Sequence, residues 1–279
     1  MVLKSHAKIN LSLKVIKKLS NGFHDIQSAF CLVNIFDRIY INKIRKGNRD
    51  KIFFCGPYSK HVNKSNNTVK KILNILRKKK LISNFYYVRV DKRIPVFAGL
   101  GGGTSNAVTI LKYLIRKKLS RKNLSEIVKF IGSDVQLFFQ NQGYLKNLKT
   151  VKSFKKKYNL HFLVIYPNLK CSTKKIYSKV TKFSKKKIIY EREITSKFKF
   201  LDFLNKSSND LQLIVEKKYS IIKKLLLSIN SNKGCYFSRI TGSGSASYGL
   251  FKDENCAKVA LRKLRKKYPK FWFSIAKTI

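Results

Sequence analysis

The sequence predicts an α+β protein of two domains, and three observations predict it. Strand-like alternation and helix-spaced apolar positions are mixed through about residue 152. A lysine-rich stretch at 151–158 then reads as a linker. Beyond it the order is strand, helix, strand, strand, helix, strand, that of a ferredoxin-like unit. The expected domains are 1–152 and 153–279, and 279 residues suffice to bury a substantial core.

Taken in chain order, residues 7–15 alternate loosely, with Ile9, Leu11, Leu13 and Val15 on one strand face. Asn21-Gly22 is a turn signal. Residues 27–33 and 39–43 read as two further strands, and 52–55 as a weaker one. Residues 68–79 place Val69, Ile72, Leu73 and Leu76 at helical spacing. A strand at 86–91 leads through a glycine-rich segment to a helix at 104–114. Ser125 is the expected N-cap of a short helix ending at Ile131. After the lysine-rich stretch, 160–166 is a buried strand closed by Pro167. Residues 172–180 and, with an interruption, 211–229 look helical. Strands at 236–241 and 246–251 flank a second glycine turn, and a helix at 253–268 and a strand at 271–276 follow.

Composition constrains the partners. The net charge is +49, from 62 basic and 13 acidic residues. Such an excess suits a nucleic-acid or anionic-membrane binder. It also suits a genome rich in A/T codons, because Lys, Asn, Ile, Phe and Tyr are the residues in excess. Distribution favours the second reading. Runs such as Lys78-Lys79-Lys80, Lys155-Lys156-Lys157 and Lys185-Lys186-Lys187 are scattered, and no nucleic-acid motif accompanies them. Weak, salt-sensitive nucleic-acid binding is expected, but no specific nucleic-acid partner. The five cysteines contain no Cys-x-x-Cys pair, so neither zinc site nor disulfide framework is expected, and a reducing cytoplasm is the natural compartment. No apolar run is long enough for a membrane span, and no signal peptide is seen. The four histidines have no metal-ligand spacing.

The glycine-rich segment carries the strongest chemical signal. Pro95, Val96, Phe97, Ala98, Gly99, Leu100, Gly101, Gly102, Gly103, Thr104 and Ser105 join a strand to a helix. Glycine lets the backbone turn its N–H groups toward a ligand, and a helix start adds unpaired amides and a positive dipole end. Together these make a phosphate cradle. The segment is not a Walker A loop, since no Gly-Lys-Ser/Thr follows the glycines. It fails the dinucleotide fingerprint too, because the third required glycine falls on Thr104. A flexible linker is the plain alternative, and the strand before and apolar helix after argue against it.

Single residues elsewhere are ambiguous. Asp134, in Gly132-Ser133-Asp134-Val135, serves as a cap or turn as readily as a base. Lys8, inside an apolar strand, reads equally as solvated. Phe23 suits core, His24 a turn and Tyr177 helix packing. The turn Gly242, Ser243, Gly244 reads as a plain hairpin connection.

Read together, the segments resemble the GHMP kinases, the superfamily of galactokinase, homoserine kinase and mevalonate kinase. The glycine loop matches Pro-x-x-x-Gly-Leu-Gly-Gly-Gly-Ser/Thr-Ser. Ala7-Lys8-Ile9-Asn10-Leu11, Asn21-Gly22-Phe23-His24 and Gly132-Ser133-Asp134-Val135 resemble, in order, the blocks of one branch, whose acceptor is a cytidine-diphosphate-linked methylerythritol. Ser172-Thr173-Lys174-Lys175-Ile176-Tyr177, Asn209-Asp210-Leu211 and 240–246 agree with it, so the resemblance covers nearly the whole chain. It implies an N-terminal domain like ribosomal protein S5 and a ferredoxin-like C-terminal domain. It also implies phosphoryl transfer from ATP, with Mg²⁺, to the acceptor's tertiary 2-hydroxyl in the non-mevalonate isoprenoid pathway.

By that resemblance Asp134 is the general base, and Lys8 keeps it ionised and offsets charge on the phosphoryl oxygens. Residues 95–105 hold the ATP phosphates, with 242–244 nearby. Asn10 contacts the methylerythritol, His24 reads the cytosine edge, Phe23 and Tyr177 stack on its faces, and Thr173 lies close. A monomer or weak homodimer is expected. Three departures stand out: Phe23 for tyrosine, Gln136 for proline, and no glycine after Gly143 in 144–149. Two rival readings remain: a GHMP kinase for mevalonate or homoserine, and an inactive cationic nucleic-acid binder. The Phe23-His24 block argues against the former, whose acceptors carry no base.

Overall fold

The computed structural model describes residues 2–20, 22–115, 119–148, 150–185, 194 and 196–279. Asn21 of the turn signal, Lys149 and the lysines at 186 and 187 lie outside the described residues. The chain forms two compact units, interleaved along the sequence. The first comprises Met1–Ala7, Ile35–Val96 and Gly101–Phe139; the second comprises Lys8–Asn34, Phe97–Leu100 and Gln140–Ile279. Strands β1 (Val2–Asn10) and β3 (His24–Lys43) contribute residues to both.

In the first unit, β3 pairs antiparallel with β5 (Tyr86–Asp91), from Arg38 opposite Asp91 to Lys43 opposite Tyr86. β5 pairs in parallel with β4 (Lys51–Cys55). Helix α1 (Thr68–Lys78) buries Val69, Ile72, Leu73 and Leu76, the stripe its spacing predicts, and Asn67 caps it by accepting from the Lys70 amide at 2.9 Å. It packs on α2 (Gly102–Leu114). Helix α3 (Arg121–Ile131) begins earlier than the sequence suggested: Ser120, not Ser125, is its cap, accepting from the Asn123 amide at 3.2 Å. The polar run 121–123 hid that first turn. A 3-10 helix (Ser133–Phe139) packs against α2 and α3.

β3 corrects a second expectation. The two strands expected at 27–33 and 39–43 are one strand of 20 residues. Ile35, Asp37, Ile39 and Ile41 keep facing inward, and the acid at an inward position broke the apolar pattern.

In the second unit, β2 (Lys14–Lys18) pairs antiparallel with the start of β3. The strand expected over 7–15 breaks into β1 and β2 because Leu11 and Ser12 turn aside, both amides donating to the Ala29 carbonyl. β6 (Gln142–Asn147) pairs with Ser28–Cys31 of β3 and with β7 (Thr150–Ser153), so the glycine-free segment after Gly143 is strand as far as Asn147. The linker reading of 151–158 fails here. Val151 lies opposite Leu145, Phe154 is buried, and the Tyr158 ring stacks on Phe200 with centroids 4.3 Å apart. The lysines project outward while these side chains anchor the segment.

The remainder is the ferredoxin-like unit that the element order predicts. β8 (His161–Tyr166), β9 (Cys235–Ile240), β10 (Ser247–Phe251) and β11 (Trp272–Lys277) form a sheet of order β11-β8-β10-β9 with antiparallel neighbours. α4 (Thr173–Tyr177), α5 (Lys197–Asn205) and α6 (Gln212–Lys218) follow β8, and α7 (Ser220–Asn230) and α8 (Glu254–Lys267) pack on the sheet. The interruption expected within 211–229 falls at Tyr219. Leu163, Ile165, Leu225, Ile229, Ala257, Ala260 and Leu264 form the buried layer between helices and strands. Among the described residues no helix is long and apolar enough to cross a membrane.

Candidate active site

The first unit holds the exit of the glycine loop. Gly101 caps α2 with φ +70°, a conformation glycine adopts without penalty. The first intrahelical bond runs from the Ser105 amide to the Gly101 carbonyl at 2.9 Å. The amides of Gly102, Gly103 and Thr104 precede it and form the open N-terminal turn. Gly103 is exposed there and Thr104 half-buried; Pro95 is buried and Val96 half-buried. Ser105 is buried, and its hydroxyl accepts from Ser5 at 2.8 Å and donates to the His6 carbonyl at 2.6 Å. Its side chain fastens the loop to β1, so Thr104 is the loop hydroxyl presented at the open turn.

The first unit also holds Asp134, half-buried in the first turn of the 3-10 helix. Gly132, at φ +136°, turns the chain out of α3, and the Val135 amide returns to its carbonyl at 3.2 Å. Buried Val135, Leu137 and Phe138 hold the turn, which forms with Gln136 in place of the family's proline. Lys112 of α2 donates to the Phe138 carbonyl, and burial lowers its pKa.

The second unit gathers the other expected residues. Lys8 is buried, its ammonium donates to Asn10 Oδ1, and its amide donates to the Leu100 carbonyl at 3.0 Å. Asn10 Nδ2 donates to Ser28 Oγ at 2.8 Å, and the Asn10 amide to Thr241 Oγ1 at 3.0 Å. The Asn10 side chain therefore orients Lys8. Two glycine turns close on this pair. A Cβ at Gly99 would run into the Thr241 carbonyl, and one at Gly242 would lie 3.1 Å from Lys8 Nζ and 3.3 Å from Asn10 Oδ1. The Ala246 amide donates to the Ala98 carbonyl at 3.1 Å, and Asn209 donates to the carbonyls of Ile240 and Gly242 at 3.0 and 2.9 Å. Thr173 Oγ1 and Ser243 Oγ are 3.0 Å apart. Gly244 sits at φ +75° in the same turn. Phe97, exposed at φ +62°, begins the loop's share of this unit.

A second group is aromatic. The rings of His24 and Tyr177 are 5.1 Å apart, and the exposed Phe183 ring lies 6.5 Å from His24, near-parallel. Phe23 is exposed beside them in sequence. Desolvation first, then the charge of Lys18, lowers the His24 pKa, so the ring stays neutral at neutral pH. Phe183 escaped the sequence reading, since a lone aromatic in a lysine-rich stretch carries no periodic signal. Ser184 places it, donating its amide to the Val15 carbonyl at 2.8 Å and its hydroxyl to Asp210 at 2.7 Å.

Known proteins match this chain along its length. The family model described as GHMP kinases N terminal domain matches residues 67–141, and that described as GHMP kinases C terminal matches 197–270. A 4-diphosphocytidyl-2-C-methyl-D-erythritol kinase of Pelagibacter ubique is 36% identical, over 99% of this chain and 98% of that protein. One from a Wolbachia of Brugia malayi is 32% identical, over 99% and 98%. A crystal structure of 4-(cytidine 5'-diphospho)-2C-methyl-D-erythritol kinase shares the fold, with a TM-score of 0.75 at 22% identity over 99% of both chains. Sequence, order of elements and fold agree that the chain belongs to the GHMP kinases, within the family of 4-diphosphocytidyl-2-C-methyl-D-erythritol kinases.

Proposed function

We propose that this chain transfers the γ-phosphoryl group of ATP to the tertiary 2-hydroxyl of 4-diphosphocytidyl-2-C-methyl-D-erythritol, a step of the non-mevalonate isoprenoid pathway. The observation that carries the reading is the buried Lys8–Asn10 pair enclosed by two glycine turns, with a neutral His24 among aromatic rings in the same unit. A buried ammonium beside open backbone suits a transferring phosphoryl group, and aromatic rings around a neutral imidazole suit a flat base.

In this reading Asp134 takes the hydroxyl proton as the alcohol attacks, a contribution typically worth ~10²–10⁴ in rate. Lys8 offsets charge on the phosphoryl oxygens. The amides of Gly102, Gly103 and Thr104, with residues 95–101, bind the ATP phosphates, and Gly242, Ser243 and Gly244 lie by them. Asn10 orients Lys8 and contacts the methylerythritol. His24 reads the base, Phe23 and Tyr177 stack on it, Phe183 adds a third ring, and Thr173 flanks it. Among the described residues no group of three or more His, Cys, Asp or Glu could hold a metal. In this reading Mg²⁺ would be carried by the nucleotide phosphates and water and would neutralise phosphate charge. A division near residue 152 belongs to the reading, since the two family models match on either side of it. So do a cytoplasmic location and a monomeric or weakly dimeric state.

The test is ATP consumption by the purified chain with the cytidyl acceptor, against mevalonate and homoserine, with CMP and CDP as competitors. Turnover with the cytidyl acceptor alone, competed by CMP, is expected. Turnover with mevalonate or homoserine instead refutes the acceptor assignment.

A further inference from the structure

One buried carboxylate lies outside the chemistry assigned above. Asp37, at an inward position of β3, is fully buried, and its two oxygens take four donors. Oδ1 accepts the backbone amides of Arg93 at 2.7 Å and Ile94 at 2.8 Å. Oδ2 accepts the ammonium of buried Lys92 and, at 2.9 Å, Nδ2 of buried Asn106. Lys92 also donates to Asn106 Oδ1 at 3.2 Å, and Asn106 donates to Ser5 Oγ at 2.9 Å, which continues to Ser105. Residues 92–94 are the last before the glycine loop; Ser105 and Asn106 lie in the first turns of α2. The entry and exit of the loop are therefore tied to a single carboxylate. The fit behind the loop is close, because a Cβ at Gly102 would lie 3.0 Å from Ile94 Cγ2 and 3.3 Å from Lys92 Nζ.

We propose that Asp37, through its buried pairing with Lys92 and Asn106, is a positioning residue for the nucleotide loop. It fixes the start of α2 relative to Arg93 and Ile94, so that the amides of Gly102, Gly103 and Thr104 stay aimed at one point. A glycine-rich segment loses much conformational freedom when ordered, and donors held in place beforehand bind an anion without that cost. Arg77 and Asp50 form another ion pair in this unit, but theirs ties α1 to β5 and touches neither end of the loop. The inference rests on the reading of the loop as the ATP site.

Three variants and two readouts test it. Asp37→Asn keeps Oδ1 as acceptor for the Arg93 and Ile94 amides, but its Nδ2 is a donor and accepts from neither Lys92 nor Asn106. Removing one charge of a buried pair strands the other, so the double variant Asp37→Leu with Lys92→Met removes both. Asn106→Leu cuts only the tie to α2. The expected result, in the double and Asn106→Leu variants that melt cooperatively, is an ATP Kd and KM raised about ten-fold, as for a lost charge-assisted hydrogen bond. The acceptor KM should stay within two-fold, and Asp37→Asn should be milder than the double variant. A loss of overall stability alone would not split the two KM values. Folded Asn106→Leu and double variants with wild-type ATP affinity overturn the proposal. A wild-type chain that binds ATP but does not phosphorylate the acceptor refutes the acceptor reading alone, since calorimetric ATP affinity still reports on Asp37; one that does not bind ATP overturns both.

Discussion

Asp134 and His24 face opposite electrostatic demands. In the proposed reaction Asp134 takes the hydroxyl proton, and Asp134→Asn removes that capacity at constant shape. The expected outcome is a kcat lower by ~10²–10⁴ with ATP affinity retained, measured by steady-state turnover and calorimetry. In the proposed reaction a neutral His24 offers both a donor and an acceptor to the base edge. Desolvation and Lys18 hold its pKa below the ordinary imidazole value of 6.5. The folded state thus takes up this proton less readily than the unfolded chain. The contribution to stability is absent well above pH 6.5 and turns unfavourable as pH falls below it. The acceptor KM should be flat from pH 8 to 6.5, rise on further acidification, and lose that rise in His24→Asn. A KM already climbing between pH 8 and 7 would contradict the lowered pKa.

At the scale of elements, the site depends on short connections pinned by single side chains. Asp210 accepts the Val15 amide at 2.9 Å and Ser184 Oγ at 2.7 Å with Oδ2, and Lys14 Nζ at 3.2 Å with Oδ1. It thereby holds β2 and the segment bearing Phe183. Asp210→Ala should raise the acceptor KM several-fold and leave the ATP KM unchanged, because its side-chain ties reach Lys14, Val15, Ser184 and Ser208 and none of the glycine loop. Equal shifts in both KM values would instead mean general loosening. Arg239 has a related place. It is buried and donates to the carbonyls of Leu11, Leu204 and Ser207. With Tyr248, whose hydroxyl reaches the Asn10 and Leu11 carbonyls, it fixes the end of β1 that carries Lys8 and Asn10.

At the scale of the whole molecule, a net charge of +49 leaves 13 carboxylates against 62 cations. Several of the acids act as fasteners. Asp37 ties the glycine loop, Asp50 bonds Arg77 and the Tyr86 amide, Asp210 holds β2, and Asp253 caps α8. The surplus of cations makes non-specific attraction to polyanions unavoidable. Affinity for duplex DNA should fall by ~10³–10⁵ between 50 and 200 mM salt, as for a protein making several phosphate contacts. A tight, sequence-selective component surviving high salt in a titration would favour the nucleic-acid reading over the kinase.

Much of this protein is legible in short windows. The stripe of α1, the alternation of β5, the glycine loop and the ferredoxin-like order all follow from local periodicity and from φ preferences within a few residues. The blocks around Lys8, His24, Asp134 and Ser172 pointed to the family for the same reason. What the windows could not hold are pairings between distant positions. Asp37 meets Lys92 across 55 residues, and Asn10 meets Thr241 across 231. For that reason the single strand β3 read as two strands, and the anchored 151–158 stretch read as a linker. Residue types and their spacing determined which elements form and which chemistry is available. The tertiary structure decided which polar groups are spent on one another, because a buried donor or acceptor must find its partner wherever the fold brings one.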